Sequence, residues 1–167
     1  MPVFRSLLLA GALGLSTPLL AQTAQLDPGF DGDGIAALSG LLVDPELCCA
    51  APTDVGWLVA GDAQLTVAGR ESREPFVLKL RLDGSPDPSF GLFGLAFPAL
   101  SDRVGDGATG YRFRVHDLHV DPEGRILLAG ATEFTAAAPR SAGAGYLIRL
   151  SANGMLDTGF DGGVVWA

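Results

Sequence analysis

The chain has 167 residues, with 19 Asp and Glu against 11 Lys and Arg and a formal net charge of −8. No segment clusters Lys or Arg, which excludes the basic footprint of a nucleic-acid binder, and no later apolar run reaches the roughly 18 residues that a spanning helix needs, so no membrane partner is expected. With 23 Gly, 11 Pro and no long helix-periodic segment, the composition favours one all-β domain of short strands and many turns.

The first element is a leader. Residues 1–5 carry one positive charge, at Arg5, and "LLLAGALGL" at 7–15 is an apolar run of signal-peptide length. Pro18 breaks it, and small residues follow at Ala21 and Ala24. The pattern predicts a signal-peptide helix over 1–21, cut after Ala21 or Ala24, and an exported chain, periplasmic or extracellular. Loss of Arg5 takes the net charge to −9.

Residues 22–167 repeat. "LDPGFDGDG" at 26–34, "PDPSFGLFG" at 86–94 and "LDTGFDGGV" at 156–164 align, and "WLVAG" at 57–61 matches "ILLAG" at 126–130 between them. Matching sub-elements in matching order mark a repeat architecture. Repeat 1 runs over about 26–85, repeat 2 over 86–155, and a third begins at 156–167.

In the first of these stretches Asp27, Asp31 and Asp33 form an oxygen-rich, Gly-punctuated loop that could suit calcium. An EF-type register aligned on Asp31, Asp33 and Gly34 would place Gly29 and Gly40 at its first and twelfth positions, where carboxylates are needed. A structural turn is the better reading. The expected strands of repeat 1 are "GIAALSG" (34–40), "LLV" (41–43), "GWLVAG" (56–61) and "PFVLKLRL" (75–82). Between them "LCCAAPTD" (47–54) reads as a loop about eight residues longer than its counterpart. It holds Cys48 and Cys49, the chain's two cysteines. Export permits an intrachain vicinal disulfide between them, with reduced thiols or bridges to another chain as alternatives.

In "FVLKLRLDG" (76–84), Phe76, Leu78, Leu80 and Leu82 alternate with Val77, Lys79 and Arg81; "YLIRLSANG" (146–154) repeats the pattern. Period-two alternation means strands, and Asp83-Gly84 and Asn153-Gly154 mean tight turns. "WLVAG" and "ILLAG" lack a polar face and read as central strands covered on both sides. D-P-x-F, at 27–30 and 87–90, reads as a turn: Asp accepts backbone N–H groups, Pro fixes φ and Phe anchors.

Repeat 2 gives "GLAFPAL" (94–100), "RVHDLHV" (114–120), "RILLAG" (125–130) and "GYLIRL" (145–150). Some 17 extra residues surround "SDRVGDGATGYR". In "RVHDLHV" the apolar phase slips from Phe113 and Val115 to Leu118 and Val120, which predicts a bulge near His116 and Asp117. His116 and His119 have no third ligand in sight, so no metal is assigned. Trp57, Tyr111, Tyr146 and Trp166 read as packing residues and not as a sugar-stacking platform. At the C-terminus, "GGVVWA" (162–167) reads as an unpaired strand.

Four antiparallel strands per repeat, in tandem, predict β-propeller-type blades: two blades in an incomplete ring, and the start of a third. "DPEGRILLAG" followed by "YLIRLSANGMLDTGF" resembles the delta-60 repeat, a bacterial propeller-type module of exported proteins. The resemblance covers both repeats and the start of the third. It implies the fold; that family has no settled activity, so it implies no reaction.

No G-x-S-x-G, H-E-x-x-H, Walker or dinucleotide motif occurs, and no cofactor or catalytic residue is assigned. The expectation is a non-catalytic binding or scaffolding module whose glycan or protein ligand is unknown. Its rivals are a secreted hydrolase using loop carboxylates such as Asp102, Asp106 and Asp117, and a fragment of a longer repeat protein. Self-association is also expected, the C-terminal strand of one chain joining the first blade of the next; three chains would supply six blades.

Overall fold

The computed structural model describes residues 25–38, 40–67, 70–103, 111–134 and 144–167. The leader over 1–21, both proposed cleavage points and Asp106 lie outside these residues. Among them there is no α-helix, and the chain forms β-strands in propeller-type repeats.

Blade 1 is an antiparallel meander of β1 (Val43–Thr53), β2 (Gly56–Val67), β3 (Arg70–Arg81) and the short β4 (Leu95–Ala96). Blade 2 repeats it with β5 (Tyr111–Val120), β6 (Ile126–Phe134), β7 (Gly145–Leu150) and β8 (Val164–Trp166). A single parallel bridge, Arg73 to Arg112, joins β3 to β5. The two "AG" strands, β2 and β6, lie inside their blades, as their sequence predicts, but the expected cover on both sides fails for β6, whose far face leaves Leu127 and Ala129 half-buried.

Several expected placements change. "LCCAAPTD" is not a loop: residues 47–53 are the outer half of β1, and the hairpin closes at Thr53 and Gly56. The sequence hides this because β1 is an edge strand with one pairing partner, where Pro45 and Pro52 cost little and alternation is not enforced. The described residues of "GIAALSG" (34–38 and 40) form no strand; Ala36 and Leu38 instead lie against blade 1. "GGVVWA" is not unpaired, since Val164–Trp166 pairs with Tyr146–Ile148. "GLAFPAL", expected as the first strand of repeat 2, gives only Leu95–Ala96, which pairs with β3 and closes blade 1. The stretch repeated at 76–90 and 146–160 is thus the third strand of a blade and the D-x-x-F turn that leads into the fourth strand of the same blade.

The D-x-x-F turns also tie the segment before blade 1 to that blade, and blade 1 to blade 2. Asp27, Asp87 and Asp157 each accept an N–H two residues on, from Gly29 (2.9 Å), Ser89 (3.0 Å) and Gly159 (3.1 Å). The Asp31 N–H then bonds to the Asp83 carbonyl (2.7 Å), and the Gly91 N–H to the Asn153 carbonyl (2.8 Å). Beside these bonds Phe30 and Phe90 sit on Gly84 and Gly154, whose φ values of +83° and +82° suit glycine. A Cβ at Gly154 would come within 2.9 Å of the Phe90 ring.

The core has two parts. Leu58, Ala60 and Val77 of blade 1 meet Phe113, Val115, Ile126, Leu128, Ile148 and Leu150 of blade 2, with Phe90 between them. On blade 1's other face Phe76, Leu78 and Leu80 are covered by Phe30, Ala36, Leu38 and Leu42. Of the aromatics assigned to packing, Tyr111 and Tyr146 are buried, whereas Trp57 and Trp166 stay partly exposed. Leu82, expected in phase with Phe76, lies past the end of β3 and is exposed.

Candidate functional site

The expected bulge is present: β5 shifts register between Val115 and Asp117, leaving His116 as the extra residue. β1 carries the same irregularity, between Leu47 and Cys49, with Cys48 extra. Leu47 faces Gly61 as Val115 faces Gly130, so the two bulges are equivalent. The glycines are required there: a Cβ at Gly61 would strike the Glu46 carbonyl, and one at Gly130 would strike the Arg114 carbonyl and the Tyr146 hydroxyl. Regular strand residues point to opposite faces. A bulge brings neighbouring side chains together, and the Cys48 and Cys49 sulfurs are joined as a vicinal pair with their Cα atoms 3.8 Å apart. His116 and His119 are both exposed.

A buried ionic cluster lies at the seam of the blades, and sequence reading missed it. Arg73 on β3 gives its Nε to Asp62 (2.6 Å) and its Nη1 to Asp44 (2.8 Å), with Glu46 at 3.2 Å. Burial works to lower the Arg73 pKa, but the hydrogen bonds to Asp62 and Asp44 and the surrounding carboxylates outweigh it and raise it. Glu46 also accepts from Arg114 (2.6 Å), linking β1 to β5. The Tyr146 hydroxyl donates to the Arg114 carbonyl (2.9 Å), and burial, with the negative Asp62 and Glu74, raises its pKa. Glu74, fully buried, accepts the Leu100 N–H (2.8 Å) and so holds the short 3-10 turn Leu100–Arg103 on which Asp102 sits. A polar pocket of about 290 Å³ opens above the cluster beside Gln64, Glu71 and Arg112. The one signal for this cluster was an acid, Asp62, directly following an otherwise apolar strand.

A second cavity, of about 470 Å³, opens at the opposite hairpin ends, between the β1–β2 and β5–β6 turns. Its floor is apolar, from Leu58, Val120 and Ile126, and Asp54, Lys79 and Asp121 stand at its rim. Lys79 pairs with Asp87 (3.2 Å), as Arg149 pairs with Asp157 (2.8 Å) in the next repeat. Hydrogen bonds from Ser89 and the nearby Lys79 ammonium lower the Asp87 pKa to about 2, against a smaller opposing effect of burial. Asp121 is lowered as well: burial opposes this, but the Arg125 guanidinium outweighs it.

The suggested calcium residues do not converge on a site. Asp27 and Asp33 cap their own turns, Asp33 accepting from the Ile35 N–H (2.9 Å), and Asp31 anchors through its backbone. Among the described residues no three His, Cys, Asp or Glu side chains gather as a metal site. Of the loop carboxylates, Asp117 accepts its neighbour's N–H, from Leu118 (2.9 Å).

Tandem four-stranded meanders with plug-like turns define a propeller-repeat protein. Consistent with that class, residues 57–90 and 122–160 are similar to a family described as a domain of unknown function (DUF5122) beta-propeller. Each matched segment runs from the central strand of a blade through the D-x-x-F turn. No curated protein and no solved structure matches the chain.

Proposed function

We propose that this chain is an exported, non-catalytic binding or scaffolding module built from delta-60-type propeller repeats. The observation that carries the reading is the state of the ionisable groups at and beside the hairpin-end cavity, where Asp121 lines the wall and Asp87 pairs with the rim residue Lys79. Asp87 and Asp121 are tied to turn N–H groups and to basic partners, and their lowered pKa values keep them ionised at neutral pH. A general acid or base works best with a pKa near the working pH, and these groups are far from it. An apolar floor with a few fixed charges at the rim suits ligand retention.

The test is a glycan array read beside a broad hydrolase panel. Binding without turnover is expected, weakened at least tenfold by Asp54→Ala at the exposed rim. Turnover lost in Asp102→Asn or Asp117→Asn would replace this reading with the hydrolase one.

A further inference from the structure

The two repeats bury equivalent residues differently, and the pattern of differences describes an interface. On the face of blade 1 turned toward blade 2, Leu58, Ala60 and Val77 are 3%, 0% and 0% exposed. Their counterparts on blade 2, by the alignment of 57–61 with 126–130 and of 76–80 with 146–150, are Leu127, Ala129 and Leu147. Those stand on the far face of blade 2, with Leu127 and Ala129 half-buried and Leu147 40% exposed.

The near face of blade 2 fills the first position with Val115, Leu118, Val120 and Ile126. Their blade 1 counterparts are Leu47, Ala50, Pro52 and Trp57, fixed by the same pairing to Gly61 and its neighbours. All four are exposed, Leu47 at 59% against 5% for Val115 and Trp57 at 41% against 1% for Ile126. One end of the molecule therefore displays the apolar set that the fold buries, and the other end displays the set that buries it.

We propose that the far face of blade 2 is a docking surface for a second copy of this chain, which seats Leu47, Ala50, Pro52 and Trp57 on Leu127, Ala129 and Leu147. The contact does not depend on a ligand in the cavity. The occupant is argued from the internal junction: what already covers Leu58, Ala60 and Val77 is a blade of this same repeat, and a second copy presents another. The contact is heterologous, head to tail, so it propagates or closes into a ring. β8 already occupies β7, so the C-terminal strand stays in its own blade and the contact is made between faces. Ile35 of the incoming copy, matched to Val164 of β8 by the glycines that precede them (Gly34 and Gly163), is 56% exposed where Val164 is 6% exposed.

Sedimentation velocity on the full chain, with Leu147→Arg and Trp57→Arg variants, tests this. Wild type is expected to form concentration-dependent assemblies. Each variant alone is expected to sediment as a monomer, because each loses one end. An equimolar mixture is expected to give a 1:1 dimer and stop there, since the two intact ends meet once. Leu147→Ser and Trp57→Ser serve as milder versions should an arginine variant fail to fold. A wild-type monomer at tens of micromolar, an assembly that survives either substitution, or a mixture that does not recombine would overturn the proposal.

Discussion

Val77 and Leu147 occupy the same place in matching strands, one before Leu78 and the other before Ile148, yet Val77 is fully buried and Leu147 is 40% exposed. Nothing in the local sequence separates them; Leu147 is the larger apolar residue. The difference comes from the neighbour. In blade 1 the third strand is covered on one face by Phe30, Ala36, Leu38 and Leu42 and on the other by blade 2, whereas blade 2 is covered on one face. In a repeat protein each unit is stabilised largely through its interfaces with adjacent units. The two blades therefore make a controlled experiment in which sequence is held nearly constant and coverage varies.

The largest effect is expected at the D-x-x-F plugs. Phe90 is 1% exposed between the blades and rests on Gly154. Phe90→Ala should cost about 3–5 kcal/mol through lost burial and a cavity. Phe160, at the end of blade 2, is half-buried with the Arg149 guanidinium 4.5 Å from its ring centre. Its loss should cost about 1 kcal/mol, the scale of an accessible cation–π contact. Urea melts of the two variants measure this directly. Equal losses would show that Phe160 has a buried seat, and the contrast between covered and uncovered blades would fail.

A smaller difference is expected between the residues that open the comparison. Val77→Ala removes two buried methyl groups, worth about 0.8 kcal/mol each before any cavity. Leu147→Ala removes more carbon from a place where much of it already meets water, and it should stay below about 1 kcal/mol. The larger side chain then gives the smaller loss. The measurement belongs at low protein concentration, because a covered Leu147 would reverse the order.

The sequence made some of this visible and hid the rest for physical reasons. Alternation around Phe76 to Leu80, the glycine turns at Gly84 and Gly154 and the phase slip at His116 are local, and local signals survive in a single chain. β1 was invisible because an edge strand takes its order from its partner: Cys48, Cys49, Ala50 and Ala51 have no alternation to read, and two prolines argue against a strand. The seam cluster was hidden for a related reason. Arg73 finds Asp62 only because the β2–β3 hairpin runs on to Val67 and Arg70, well past the apolar segments that mark those strands. Its other partners, Asp44 and Glu46, lie on the strand that could not be seen. The hairpin-end cavity uses two hairpin turns from different repeats, and no spacing in the sequence brings them together.

The smallest expected effect concerns the bulge, where the blades agree in geometry and differ in chemistry. At the extra position blade 1 has Cys48, joined to Cys49, and blade 2 has His116 beside Asp117. A bulge residue is released from the ladder, so its side chain is free to vary while Gly61 and Gly130 hold the backbone. His116 is exposed, and among the described residues no hydrogen bond or ion pair involves its side chain. His116→Ala should therefore leave stability within about 0.5 kcal/mol of wild type, as exposed substitutions usually do. Gly130→Ala, at the backbone that faces the same bulge, should cost roughly 1–3 kcal/mol or more through overpacking against the Arg114 carbonyl. If His116→Ala costs as much as Gly130→Ala, the histidine side chain also holds the bulge. The Cys48–Cys49 bond would then also have to be read as a support of the bulge, a role that intact-mass measurement before and after reduction, paired with urea melts of each form, would assign.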